Sequence, residues 1–285
     1  MEREEVDTQF IQIIWLAEFL FQERETAPSE DEQAAVYQEI ASALAGRPLI
    51  IRCFDIGGDK PVPYLALPPE ENPALGLRGI RTGLWQPGLL RAQLAAILRV
   101  APLGQARIML PMVASLSELR LVRAVIEGLA RERSVPGRVA LGVMVETPAS
   151  AVLADQISLE ADFISIGTND LTQYTLAMDR GNAQLAPQID AFHPAVLRLI
   201  AEAAKGARAN GRPVGMCGGL AADQLAVPLI LGLGVDEVSV PPSAIPTIKA
   251  AIRALDLERC REAADKALRQ TTPEAVRAVA QEYQP

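Results

Sequence analysis

Two acidic side chains, Glu146 and Asp170, follow closely on apolar runs, and so do a carboxamide, a thiol and several arginines. Glu146 comes directly after LGVMV, and Asn169 and Asp170 follow FISIG through Thr168. Arg52 and Asp55 lie in LIIRCFDI, Arg78 and Arg81 in LGLRGIR, and Cys217 closes PVGM. Arg180 follows in the same neighbourhood as Asp170, within MDRGN. Carboxylates on neighbouring strands repel when both are ionised, unless a divalent cation sits between them. Two carboxylates, with substrate oxygens and water completing an octahedron, are a usual way to hold Mg²⁺. The competing reading is that each carboxylate is neutralised by a neighbouring arginine. Arginines facing such a pair suit a small substrate with two or three negative charges, because the guanidinium fork grips phosphate and carboxylate bidentately. Metal and arginines together stabilise an enolate or a departing phosphoryl group.

Cys217 has two readings. A lone cysteine is commonly a small buried hydrophobe. At a strand end, between Met216 and Gly218-Gly219, it can instead act as a general acid, since an ordinary thiol pKa of about 8.5 keeps it protonated near neutrality. His193 is the only histidine. It stands before Pro194 at the head of HPAVLRLI and is expected to cap or pack that helix. A single histidine excludes a multi-histidine metal site.

These side chains need elements to hold them. Apolar runs expected as strands are Leu49 to Ile56, Arg107 to Val113, Val139 to Val145, Phe163 to Ile166, Pro213 to Met216 and Val235 to Val240. Phe10 to Phe21 fits a strand or a short helix, and LGLRGIR reads as a short strand. Between them lie helical segments, among them Glu32 to Leu44, one from the capping box Ser115 to Glu118, one capped by Thr147, and one over His193 to Asn210. Three more helices close the chain, and Asp59 to Pro73 is a long irregular stretch of the kind that often carries function. Seven or eight strands alternating with helices, with no Gly/Ser linker, predict an α/β fold: a single (β/α)8 barrel over residues 1–285, ragged at 1–9. A doubly wound sheet would call for a glycine-rich phosphate loop, and neither GxGxxG nor GxxxxGK[ST] occurs. In such a barrel the C-terminal strand ends carry chemistry; Arg107, at a strand start, reads as a rim residue.

The net charge of −8, without a basic cluster, argues against nucleic acid as a partner. Hydrophobic residues make up 49% and aromatics only 4%, so the core is expected to be aliphatic and alanine-rich. Cys53, Cys217 and Cys260 form neither a disulfide framework nor a CxxC site, which suits a reducing cytoplasm. No apolar run is long enough for membrane insertion.

Six strings, RCFDIGGDK, ENPALGLRGIR, RIMLPMV, GVMVETPAS, FISIGTNDLTQYTLAMDRGN and GMCGG, resemble the phosphoenolpyruvate-binding barrel of enzyme I of the bacterial phosphoenolpyruvate:sugar phosphotransferase system. Pyruvate phosphate dikinase and phosphoenolpyruvate synthase are more distantly similar. The resemblance runs from about Glu18 to Arg253. It implies that Glu146 and Asp170 hold Mg²⁺, and that Arg52, Arg78, Asn169 and Arg180 hold the phosphate and carboxylate of phosphoenolpyruvate. It implies that Cys217 protonates C3 of the enolate as pyruvate forms. It further implies a homodimer, a phosphohistidine on a separate domain, and a downstream phosphocarrier protein.

Three departures from the family pattern stand out. Leu16 occupies the place of a substrate-contacting arginine in the family's first-strand text, Gly219 replaces a glutamate, and no stretch reads like the phosphohistidine domain. The chain is therefore expected to be a fragment, a stand-alone barrel or a degraded copy. Alternatives are a Mg²⁺-enolate lyase or aldolase on the same barrel, and a non-catalytic binding or dimerisation module.

Overall fold

Short aliphatic runs separated by helices can pair only as parallel strands, because each crossover carries the chain back to the same end of the sheet. The computed structural model describes residues 13–22 and 24–285 and bears this out. The ragged terminus expected at residues 1–9 lies outside the described residues. The chain divides into two compact units, one over Ile11–Met144 and the other containing Val145–Pro285.

The first unit holds β1 (Ile13–Leu16), α1 (Glu18–Phe21), α2 (Glu30–Ala43), β2 (Leu49–Arg52), α3 (Ile80–Trp85), α4 (Pro87–Leu98), β3 (Ala106–Leu110), α5 (Leu116–Glu132) and β4 (Leu141–Val145) up to Met144. Its strands pair in parallel in chain order, with Leu16 opposite Arg52 and Arg52 opposite Met109. Helix α2 starts two residues before the expected Glu32. Ser29 Oγ accepts from the Glu32 N–H at 3.2 Å and Glu32 Oε2 accepts from the Ser29 N–H at 2.7 Å, a capping box inside the charged stretch. Glu30, Asp31 and Glu32 then place negative charge at the positive end of the helix dipole. The Ser115–Glu118 box opens α5 as expected.

Two expected strands are corrected. LGLRGIR is not a strand: Pro73–Leu75 is a 3₁₀ turn, Arg78 makes one isolated bridge to Gly57, and α3 begins at Ile80. Gly79, at φ +58°, turns the backbone out of any strand conformation. Strand β2 ends at Arg52 instead of Ile56. The Cys53 N–H still donates to the Met109 carbonyl at 2.8 Å, but the Phe54 N–H turns away to Gln93 Oε1 at 3.0 Å. Gln93 is fully buried, and its Nε2 donates to the Tyr37 hydroxyl at 3.2 Å. The segment after β2 is thereby tied to α4 and α2.

The second unit holds α6 (Pro148–Val152), α7 (Ala154–Glu160), β5 (Ile164–Gly167), α8 (Thr168–Leu176), α9 (Pro194–Ala209), β6 (Val214–Cys217), α10 (Val227–Gly232), β7 (Glu237–Val238), α11 (Ile245–Ala254), α12 (Leu257–Ala267) and α13 (Pro273–Glu282). Strands β5, β6 and β7 pair in parallel, with Gly167 opposite Cys217. Helices α10 and α12 approach so closely that a Cβ on Gly232 would lie 1.9 Å from the Cys260 carbonyl oxygen. Cys260 sits in a small apolar cluster with Val227, Leu231, Ile248 and Ala251. The described residues thus form an α/β fold with seven parallel strands, one fewer than a complete eight-stranded barrel. No helix among them is long and apolar enough to cross a membrane.

Candidate functional site

Past β2 the chain makes a tight turn in which Gly57 and Lys60 exchange backbone hydrogen bonds, and the Gly79 N–H donates to the Ile56 carbonyl at 3.1 Å. This folding brings cations from two segments onto Asp55, which is completely buried. Arg78 Nε donates to Asp55 Oδ1 at 3.0 Å and Nη2 to Oδ2 at 2.9 Å, a bidentate pair. Lys60 Nζ donates to Asp55 Oδ2 at 2.6 Å, and Arg52 Nη2 stands 4.0 Å from the same oxygen. The remaining arm of Arg78, Nη1, lies 3.4 Å from Asp59 Oδ2. Burial pushes the Asp55 carboxyl up, but the Arg78 hydrogen bonds and the charges of Arg78, Arg52 and Lys60 outweigh it and hold it below the ordinary carboxylate range. For Asp59 the balance falls the other way: burial raises it beyond what Arg78 and Lys60 pull down, and the Asp55 charge adds to the rise.

The sequence reading expected Arg52 and Arg78 to face a substrate. The structure brings both to Asp55, with Arg78 completely buried and the Arg52 side chain 12% exposed. Lys60 and Asp59 were missed as members of this cluster. Their signal was present in GGDK, where a glycine pair after a strand end turns the next charged residues back toward it.

In the second unit, β5 runs into α8 without a loop, so Asn169 and Asp170 occupy the first turn of a helix and not a polar turn. Thr168 Oγ1 donates to the Cys217 carbonyl at 2.9 Å, and Asn169 Oδ1 accepts from the Gly219 N–H at 2.9 Å. These two bonds join the ends of β5 and β6 and bring Asn169 beside the Cys217-Gly218-Gly219 segment. Gly218, at φ +96°, is required there, since a Cβ would fall 2.4 Å from Thr168 Oγ1. Gly219 is not so constrained: a Cβ would meet only Asn169 Oδ1, at 3.5 Å. Cys217 is half-buried and in no disulfide, whereas Cys53 and Cys260 are buried.

Helix α8 ends on Ala177 in the left-handed region, and the Arg180 N–H donates to Gln173 Oε1 at 3.0 Å. That turn carries Arg180 back to Asp170, with Nη2 to Oδ1 at 3.2 Å and Nη1 to Oδ2 at 3.3 Å. The arginine-neutralised alternative is therefore the state seen for Asp170. Glu146 is buried at the end of β4, one residue before the Thr147 cap of α6. His193 caps α9 as expected, its Nδ1 accepting from the Ala195 N–H at 3.2 Å.

As a donor set for Mg²⁺, Glu146 and Asp170 offer hard carboxylate oxygens on two nearly buried side chains. No group of three or more acidic, histidine or cysteine side chains that could hold a metal ion assembles among the described residues. By their chemistry these are ligands of the kind Mg²⁺ takes in a site completed by substrate and water, not a closed protein cage.

Comparison with known proteins bears on what this geometry serves. Residues 13–257 match the family described as "PEP-utilising enzyme, PEP-binding domain". A multiphosphoryl transfer protein of Xanthomonas campestris is 49% identical over 263 residues, 92% of this chain and 31% of that protein. A phosphoenolpyruvate-protein phosphotransferase of Haemophilus influenzae is 44% identical over 275 residues, 95% of this chain and 48% of that protein. The chain thus spans half or less of the length of these relatives. Among solved structures, a citrate lyase from Burkholderia xenovorans superposes with a TM-score of 0.52 at 20% identity, covering 87% of this chain and 78% of that one. That likeness concerns the fold alone.

Proposed function

Because the chain belongs to the PEP-binding-domain family of PEP-utilising enzymes, we propose that it is the phosphoenolpyruvate-binding, pyruvate-forming part of a phosphoenolpyruvate-protein phosphotransferase, built as a (β/α)8 barrel. The observation that carries this is the family match over 13–257, joined to Arg52, Glu146, Asp170 and Cys217 at or just past the ends of β2, β4, β5 and β6. On this reading Arg52, Arg78, Asn169 and Arg180 hold the phosphate and carboxylate of phosphoenolpyruvate. Glu146 and Asp170 hold Mg²⁺, which when bound neutralises charge on the substrate oxygens. The Asp170–Arg180 pair supports an exchange in which Arg180 moves from the aspartate to the substrate as the cation takes its place.

The phosphoryl group passes to a histidine nitrogen on a separate domain, breaking the P–O bond and leaving the electron pair on the enolate oxygen. Cys217 then gives its thiol proton to C3, forming pyruvate and a thiolate that regains a proton from solvent. Asn169 and the Gly218 turn fix the segment carrying that thiol. The proposed setting is a cytoplasmic homodimer that passes the phosphoryl group on to a phosphocarrier protein.

A second reading, a binding or dimerisation module without turnover, draws on Leu16 opposite Arg52 and on the engagement of Arg78 with Asp55. Mixing the chain with phosphoenolpyruvate, Mg²⁺ and a phosphohistidine domain from a relative distinguishes the two. Pyruvate release that needs both the domain and Cys217 is expected. Release without the domain would mean transfer to water and would count against the histidine-transfer reading, and none at all would point to the module.

A further inference from the structure

We propose that Asp55 is a positioning residue that fixes Arg52 and Arg78 for anion binding, with Lys60 as its third partner. The inference rests on the phosphoenolpyruvate reading above. Asp55 is completely buried, both its oxygens are engaged by Arg78 and Lys60, and its negative charge would repel an anion, so it is not placed to meet the substrate itself. What it does is gather cations from separate stretches of chain: Arg52 from β2, Lys60 from the turn after it, and Arg78 from just before α3. Two backbone links at Gly57, one to Lys60 and one to Arg78, close the same loop around the carboxylate. Without a central negative charge these three cations would repel across a poorly solvated space and spread apart.

The electrostatic sign makes this a testable claim. A carboxylate in the middle of an anion site weakens the field that draws an anion in, so by charge alone its removal should tighten binding. If Asp55 serves geometry, its removal loosens binding although the cluster gains positive charge. An arginine displaced by about 1 Å forfeits much of a bidentate contact, because such bonds depend on distance and alignment.

The test is calorimetric titration of phosphoenolpyruvate, with Mg²⁺, into the full chain, Asp55→Asn and Asp55→Glu, each checked for a cooperative thermal transition. Asp55→Asn is expected to bind about tenfold or more weakly, the size of a lost charge-assisted contact. Asp55→Glu, which keeps the charge but displaces it by one methylene, should fall between the two. Asp55→Asn binding as tightly as the parent, or more tightly, overturns the inference and leaves the phosphoenolpyruvate reading intact. No binding by the parent overturns both. Should Asp55→Asn fail to fold, Asp55→Glu decides, and affinity equal to the parent's would count against the positioning role.

Discussion

At Gly218 the backbone has φ +96° and no room for a side chain, while its neighbour Gly219 has an ordinary helical φ of −58° and space beside Asn169. The two glycines should therefore answer differently to substitution. Gly218→Ala is expected to destabilise the fold by about 1–3 kcal/mol, combining left-handed strain with the clash on Thr168. Gly219→Glu should stay within about 0.5 kcal/mol of the parent in urea titration. Leu16→Arg sets a guanidinium on the strand position opposite Arg52 and is expected to tighten phosphoenolpyruvate binding, by about 1.5–3 kcal/mol if a charge-assisted contact forms. An unchanged dissociation constant would place the binding determinants elsewhere. The placement of Asn169, Asp170 and Cys217 at or just past strand ends was legible in the sequence because each follows an apolar run. The His193 cap was legible because Pro194 follows it. The engagement of Arg78 with Asp55 was not, since the partners stand 23 positions apart along largely irregular chain and no local period links them.

Among the elements, the contact of α10 with α12 is the most sharply defined by sequence, because Gly232 lies against the Cys260 carbonyl. Gly232→Ala must push the helices apart and is expected to cost about 1–3 kcal/mol, measured by denaturant midpoint. The same contact predicts a pH dependence. Burial pushes the Cys260 thiol from an ordinary 9.0 up to about 11, with Asp256 adding to the rise. The folded state thus holds this proton more tightly than the unfolded chain. Stability from this group is fully present below about pH 9 and is lost as the pH rises through about 11. Cys260→Ala should flatten that alkaline limb in urea midpoints taken at about pH 8 and about pH 10.5, and an unchanged slope would remove the thiol as its cause. Helix starts at Ser115 and Thr147 could be read from their caps. The start at Ser29 was hidden because the same acidic residues that suit a helix N-terminus also make TAPSEDEQ look like a solvated loop. LGLRGIR misled for the opposite reason: its aliphatic residues suggested a strand, but its two glycines set the backbone.

At the scale of the whole molecule, the parallel pairings of both units follow from the alternation of strands and helices visible in the sequence. The eighth strand of the expected barrel is not among the described residues, and the charged strand ends stand in two compact units. The central claim, as proposed above, is that Glu146 and Asp170 take Mg²⁺ together with one small anion. Calorimetric titration of the chain with phosphoenolpyruvate, with Mg²⁺ or with EDTA, tests it most directly. The account predicts binding that requires Mg²⁺ and disappears in Asp170→Ala. Binding indifferent to EDTA and to Asp170→Ala, or no binding under either condition, would contradict it.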